Sequence, residues 1–250
     1  MNTPILLSAR GLSRSFGGNS AVQDVTLELH QGVVTALAGP NGAGKTTLFN
    51  LITGHLAPDR GAVELKGASI LGLKPHRVAL KGIARSFQDL RLFGSMSVYD
   101  NVLSAIEPTP WLWQPGGSSG AAARRLQVER ALDATGLAEL AGTRAIDLSY
   151  AETKFLSMAR IIATGAPIWL LDEPASGLDP ASRSRFVKLV KEATAAGVTV
   201  CLIEHNLDIV TELADRIAFL DQGRKLAEGT PDEILGDAKL IAIYFGERRE

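Results

Sequence analysis

Eight residues, Gly39-Pro40-Asn41-Gly42-Ala43-Gly44-Lys45-Thr46, follow the spacing G-x-x-x-x-G-K-[ST], which suits the binding of a nucleoside triphosphate. Glycines let successive backbone N–H groups close around a phosphate without Cβ clashes. A helix beginning near Gly44 and running through Thr47 points the positive end of its dipole at the same anion. Lys45 is placed to reach the outer phosphates, and the Thr46 hydroxyl to ligate Mg²⁺. A second group lies in Ile168-Trp169-Leu170-Leu171-Asp172-Glu173-Pro174, an apolar run that ends in two carboxylates. At the carboxyl edge of a strand, Asp172 would hold Mg²⁺ opposite Thr46, and Glu173 would accept a proton-sharing contact from an attacking water. Phosphoryl transfer asks for positioning and charge neutralisation more than covalent chemistry, so these residues suffice in kind.

These groups need a scaffold, and the hydrophobic pattern outlines one. Ile5 to Leu7, Val25 to Leu29, Val33 to Ala38 and Ala62 to Leu65 are predicted strands. The stretch Thr47 to Ile52 is a predicted helix, with Gly54 as its stop. From 95 to 165 the texture turns helical, with candidates at Val98–Ile106, Arg124–Thr135 and Thr153–Ala163. Pro108, Pro110, Pro115, Gly116, Gly117 and Gly120 predict an irregular loop within it. Strands and helices then alternate: Ile168–Leu171, a helix over Ala181–Ala196, Val198–Ile203, a helix over Leu207–Leu213, Arg216–Leu220 and Lys225–Ala227. This is an α/β pattern with a mostly parallel sheet, an N-terminal β region and an inserted helical segment.

Bulk properties narrow the chemistry. The 26 basic and 27 acidic residues leave no basic excess to hold nucleic acid. One cysteine, Cys201, excludes an internal disulfide and suits a reducing compartment and a core position. The four histidines are scattered. No apolar run approaches the roughly 20 residues of a membrane span, and no signal peptide is evident.

The motifs then resemble, in order and over nearly the whole chain, the ATPase subunits of ABC transporters. Leu148-Ser149-Tyr150-Ala151-Glu152 stands where that family carries its signature, LSGGQ and variants. Ser176-Gly177-Leu178-Asp179 matches the loop after the catalytic glutamate, His205 the switch histidine, and Gln88 the glutamine joining the core to the helical insertion. Phe16 takes the place of the aromatic that stacks on adenine; packing alone is the other reading. The finer texture, Gly82 to Gly94 and Ile203-Glu204-His205-Asn206 above all, is similar to branched-chain amino-acid uptake ATPases, the longer of their two ATPase types.

That resemblance implies a P-loop NTPase core formed by 1–88 and 146–250. A helical subdomain from about 89 to 145 would continue into a signature helix to about 165. It implies an ATPase using ATP and Mg²⁺, with Lys45, Gln88, Glu173 and His205 in catalysis and Thr46, Gln88 and Asp172 around the metal. Ser149, Tyr150, Ala151 and Glu152 would close on nucleotide held by a second ATPase subunit, a paralogue or an identical copy. The further partners would be membrane permease subunits and, indirectly, a solute-binding protein, and the location the cytoplasmic face of the membrane. Ala151 replaces a signature glycine, and the expectation is a Cβ that hinders closure or forces an unfavourable φ, slowing hydrolysis. A soluble ABC ATPase outside transport and a weakly hydrolysing regulatory subunit are the rival readings. Leu90, Leu92, Phe93, Met96 and Val98 either line a groove for a permease helix or pack the insertion's own core. Trp111 and Trp113 either cap the insertion or touch a partner.

Overall fold

The computed structural model describes residues 3–106 and 118–245. In chain order its elements are β1 (Ile5–Phe16), β2 (Asn19–His30), β3 (Val34–Ala38), α1 (Lys45–Ile52), β4 (Arg60–Leu65), β5 (Ala68–Ser69), α2 (Pro75–Leu80) and β6 (Ile83–Arg85). Next come α3 (Val98–Leu103), α4 (Ser118–Thr135), α5 (Tyr150–Ala163), β7 (Ile168–Asp172), α6 (Pro180–Ala195), β8 (Thr199–Ile203) and α7 (Leu207–Leu213). The chain continues through β9 (Arg216–Asp221), β10 (Arg224–Gly229), α8 (Pro231–Leu235) and α9 (Ala238–Phe245).

Two sheets form. An antiparallel sheet has the order β2-β1-β4-β5, and a six-stranded sheet has the order β10-β9-β3-β8-β7-β6. In the larger sheet every neighbouring pair is parallel except β9 with β10. Its central strands are buried on both faces, so their side chains divide by parity. Trp169 and Leu171 of β7 and Val200 and Leu202 of β8 face a core shared with α5 and α6. Ile168, Leu170, Cys201 and Ile203 face the opposite core, shared with α1 and the antiparallel sheet. Cys201 is fully buried, which drives its thiol pKa upward.

The first two strands are longer than their hydrophobic runs suggest. Each runs twelve residues, and they pair with several register shifts around the turn at Gly17-Gly18, with exposed and half-buried residues among the buried ones. Short apolar runs mark only the buried part of such a ribbon. The expected breaker Gly120 lies inside α4, where its helical backbone has room around it. The other breakers, Pro108, Pro110, Pro115, Gly116 and Gly117, and both Trp111 and Trp113, lie outside the described residues. Helices α3 and α4 pack against α5, which carries the 149–152 motif at its start.

Candidate active site

The parallel order β3-β8-β7-β6 brings four loops to one edge, because each of these strands runs in the same direction. Register fixes the match: Leu37 of β3 pairs with Ile203 of β8, Ile203 with Asp172 of β7, and Leu170 of β7 with Arg85 of β6. The loops after these strands carry the phosphate-loop residues, His205, Glu173 and Gln88. A polar cleft of about 480 Å³ is lined by residues 41–47 together with Gln88, Glu173 and His205.

The loop over Gly39 to Thr46 needs its glycines. Gly39 has φ +137°, and a Cβ there would sit 1.9 Å from the Leu220 carbonyl oxygen. Gly44, with φ +99°, would place a Cβ 2.3 Å from the Ala21 oxygen, and it caps α1. Gly42 also has positive φ but open space around it. Ala43 is buried, and its N–H donates to the Pro40 carbonyl. Asn41 is exposed at the loop tip and Thr47 half-buried in α1. Lys45 is buried, with Nζ donating to the carbonyls of Gly39 at 2.7 Å and Pro40 at 2.9 Å. Burial lowers its pKa, and Glu173 and Asp172 oppose that by their charge.

Glu173 stands between two polar side chains. Gln88 Nε2 donates to its Oε2 at 3.0 Å, and His205 Nε2 lies 3.0 Å from its Oε1. Glu173 itself adopts φ +47°, a left-handed conformation costly for a residue with a Cβ. Its N–H donates to the Ile203 carbonyl, and its own carbonyl accepts from Lys154 Nζ at 3.0 Å. These contacts hold the strained backbone, and Gln88 and His205 hold the carboxylate in the cleft.

Asp172 is buried, and burial pushes its carboxyl pKa up, against the pull of the Arg85 guanidinium and the Thr46 hydroxyl. Arg85 was not among the expected site residues. Its Nη2 lies 3.6 Å from Asp172 Oδ2, while Nη1 donates to Asn50 Oδ1 at 2.7 Å and Thr53 Oγ1 at 3.0 Å, tying β6 to α1. Its guanidinium also lies over the rings of Phe49 and Phe87. The available signal was an arginine between the apolar Ile83-Ala84 pair and Gln88. A Mg²⁺ ion suits these donors: a hydroxyl at Thr46, a buried carboxylate at Asp172 and an amide oxygen at Gln88 are all hard oxygen ligands.

The remaining expected residues lie outside the cleft lining. Phe16 is 47% exposed at the end of β1, with Arg14 over its ring at 5.1 Å. Ser149 caps α5 in a reciprocal capping box with Glu152. Tyr150 donates to the Ser176 carbonyl at 3.1 Å and packs on Gly177, so it touches the loop following Glu173 within the same chain. Asp179 caps α6, accepting from the N–H groups of Ala181 and Ser182 and from the Ser182 hydroxyl. Ala151 corrects the expectation of an unfavourable φ. It sits in the first turn of α5, is absent from the positive-φ residues among those described, and packs against the core. Its φ is therefore helical and unstrained. Ala151→Gly is expected to lower stability by a few tenths to about 1 kcal/mol, through helix propensity, instead of relieving strain. Denaturant unfolding of both proteins checks this.

A phosphate-loop strand and helix, a neighbouring strand ending in Asp172-Glu173, and a parallel sheet that gathers Gln88 and His205 around them define a P-loop ATPase. A family profile described as ABC transporter matches residues 22–176. The chain belongs to the ABC transporter family, and it is an ATP-binding cassette that hydrolyses ATP. It is similar to the high-affinity branched-chain amino acid transport ATP-binding protein LivG of Salmonella typhimurium, at 40% identity over 97% of this chain and 98% of that protein. The BraF protein of Pseudomonas aeruginosa, of the same description, is 38% identical over 99% of this chain and all of its own length. A crystal structure of an ABC transporter cassette in its ADP conformation superposes with a TM-score of 0.86 at 30% identity, covering 98% of this chain and 100% of the other.

Proposed function

We propose that this chain is the ATP-hydrolysing subunit of an importer for branched-chain or related amino acids, working at the cytoplasmic face of a membrane. The observation that carries the mechanism is Glu173, held between Gln88 and His205 above the phosphate loop. In this reading Lys45 leaves the loop carbonyls to pair with the outer phosphates of ATP. Thr46, Asp172 and Gln88 hold Mg²⁺, which when bound would neutralise phosphate charge. Glu173 orients the attacking water and takes up its proton, and His205 keeps that carboxylate and the γ-phosphate in register. Phe16, exposed at the end of β1, stacks on adenine. The solute class rests on the two relatives, whose names specify branched-chain amino acids.

Ser149 to Glu152 and Asp179 are best used by a second ATPase subunit, since they lie outside this chain's own cleft lining. Closure over shared nucleotide would follow two-fold or pseudo-two-fold geometry. The core comprises 1–88 and 146–250, and the helical subdomain about 89–145 meets the permease. Support for that contact comes from a cavity of about 400 Å³ in which Leu90, Arg91 and Ala105 of the subdomain meet Phe87, Ser157 and Arg160 of the core. Leu90 faces the cavity, whereas Val98 is fully buried and Leu92 packs on the core, so the apolar cluster divides between the two readings. The test is uptake into proteoliposomes holding this chain with its permease and second ATPase. ATP-dependent uptake of leucine, isoleucine or valine, delivered by the binding protein, is expected. ATP-dependent transport of another solute class alone would overturn the solute assignment while keeping the motor.

A further inference from the structure

His205 is held by its backbone as well as its ring. Its N–H donates to Glu204 Oε2 at 3.2 Å, and its carbonyl accepts from the Tyr244 hydroxyl at 2.8 Å. Glu204 is itself buried, 3% exposed. Its other oxygen accepts from the Ala175 N–H at 2.8 Å, two residues beyond Glu173, and the Asn206 backbone also bonds to it. One carboxylate therefore staples the loop after β7 to the loop after β8, the two loops that carry Glu173 and His205. A buried acceptor with several N–H donors gives a firm anchor, because leaving those donors unpaired is costly.

Tyr244 closes the other side. It belongs to α9, and its ring lies against Phe219 of β9 with centroids 6.3 Å apart. Burial, with the nearby Glu204 charge, pushes its pKa up to about 12, so its hydroxyl stays a proton donor. The peptide groups on both sides of the His205 Cα are thus pinned, one from the sheet edge and one from the C-terminal helix. That fixes the Cα–Cβ direction from which the ring makes its 3.0 Å approach to Glu173.

We propose that Glu204 and Tyr244 are positioning residues for hydrolysis, fixing the His205 peptide from both sides so that α9 governs turnover from outside the cleft. This rests on the reading of Glu173 and His205 as the reacting pair. The experiment is single-turnover ATP hydrolysis by the assembled transporter carrying Tyr244→Phe, His205→Ala or both. Tyr244→Phe keeps the ring on Phe219 and is expected to lower the rate about 10-fold with KM for ATP changed less than about twofold. In the His205→Ala background it is expected to cost nothing more, because its effect passes through that side chain. Glu204→Gln, which keeps size and loses charge, is expected to show the same rate loss and the same non-additivity. An unchanged rate in Tyr244→Phe, or an equal loss in both backgrounds, would overturn the proposal while the reacting pair stands. Full turnover in His205→Ala would instead remove the reacting pair, and the clamp with it.

Discussion

Glu173→Gln is expected to cut ATP turnover by at least about 10²-fold, the scale of a lost general base, while MgATP binding stays within a few-fold of the parent. The substitution keeps the side chain's size and its place between Gln88 and His205, but removes the negative charge that both neighbours and the attacking water address. The left-handed backbone at this position is no worse for Gln than for Glu, so folding is little affected. None of the phosphate-loop residues is altered, and Lys45, which donates to the Gly39 and Pro40 carbonyls, feels Glu173 only through its charge. Single-turnover phosphate release beside equilibrium nucleotide binding separates the two quantities. Turnover within a few-fold of the parent would show that the carboxylate is not the base.

Arg85→Met carries the largest expected cost in stability, about 3–5 kcal/mol, as for breaking a buried ion pair from one side. The guanidinium and the Asp172 carboxylate are 5% and 3% exposed, so the carboxylate loses its charge partner in a poorly solvated position. Asn50 and Thr53 lose a donor at the same time. Asp172, already pushed toward its neutral form by burial, would be pushed further. Urea unfolding measures the effect, and Arg85→Lys serves as the comparison. Lysine restores the charge but not the fork that reaches Asp172, Asn50 and Thr53 together, so recovery should be partial. A loss under 1 kcal/mol for the Met variant would mean that Asp172 does not depend on this pair.

Much of the scaffold was legible because it is written in local chemistry. Helix α7 spans Leu207–Leu213 as its pattern predicts, with Asn206 supplying the cap. The phosphate loop is readable because its backbone demands glycine at fixed places, as the close approaches at Gly39 and Gly44 demonstrate. By contrast β5, α2 and β6 were missed. They are two to six residues long, too short for a hydrophobic period to emerge. Helices α8 and α9 were missed too; α8 is only five residues long, while the period of α9 is blurred by seven apolar residues out of eight.

The class of chemistry follows from the residues alone: which of them could bind phosphate, which could hold a metal, and the strand ends that would display them. Those are properties of residue type and of spacing along a few turns of chain. The folded chain was needed to see that Arg85 underlies Asp172, that Ala151 is an ordinary helical residue, and that Tyr244 reaches the His205 carbonyl across 39 residues. Such contacts depend on parallel register and on how α9 returns over β9, and many residue types at those positions are compatible with the same local pattern. Chemistry was local and therefore written in order, whereas positioning came from distant segments meeting in three dimensions.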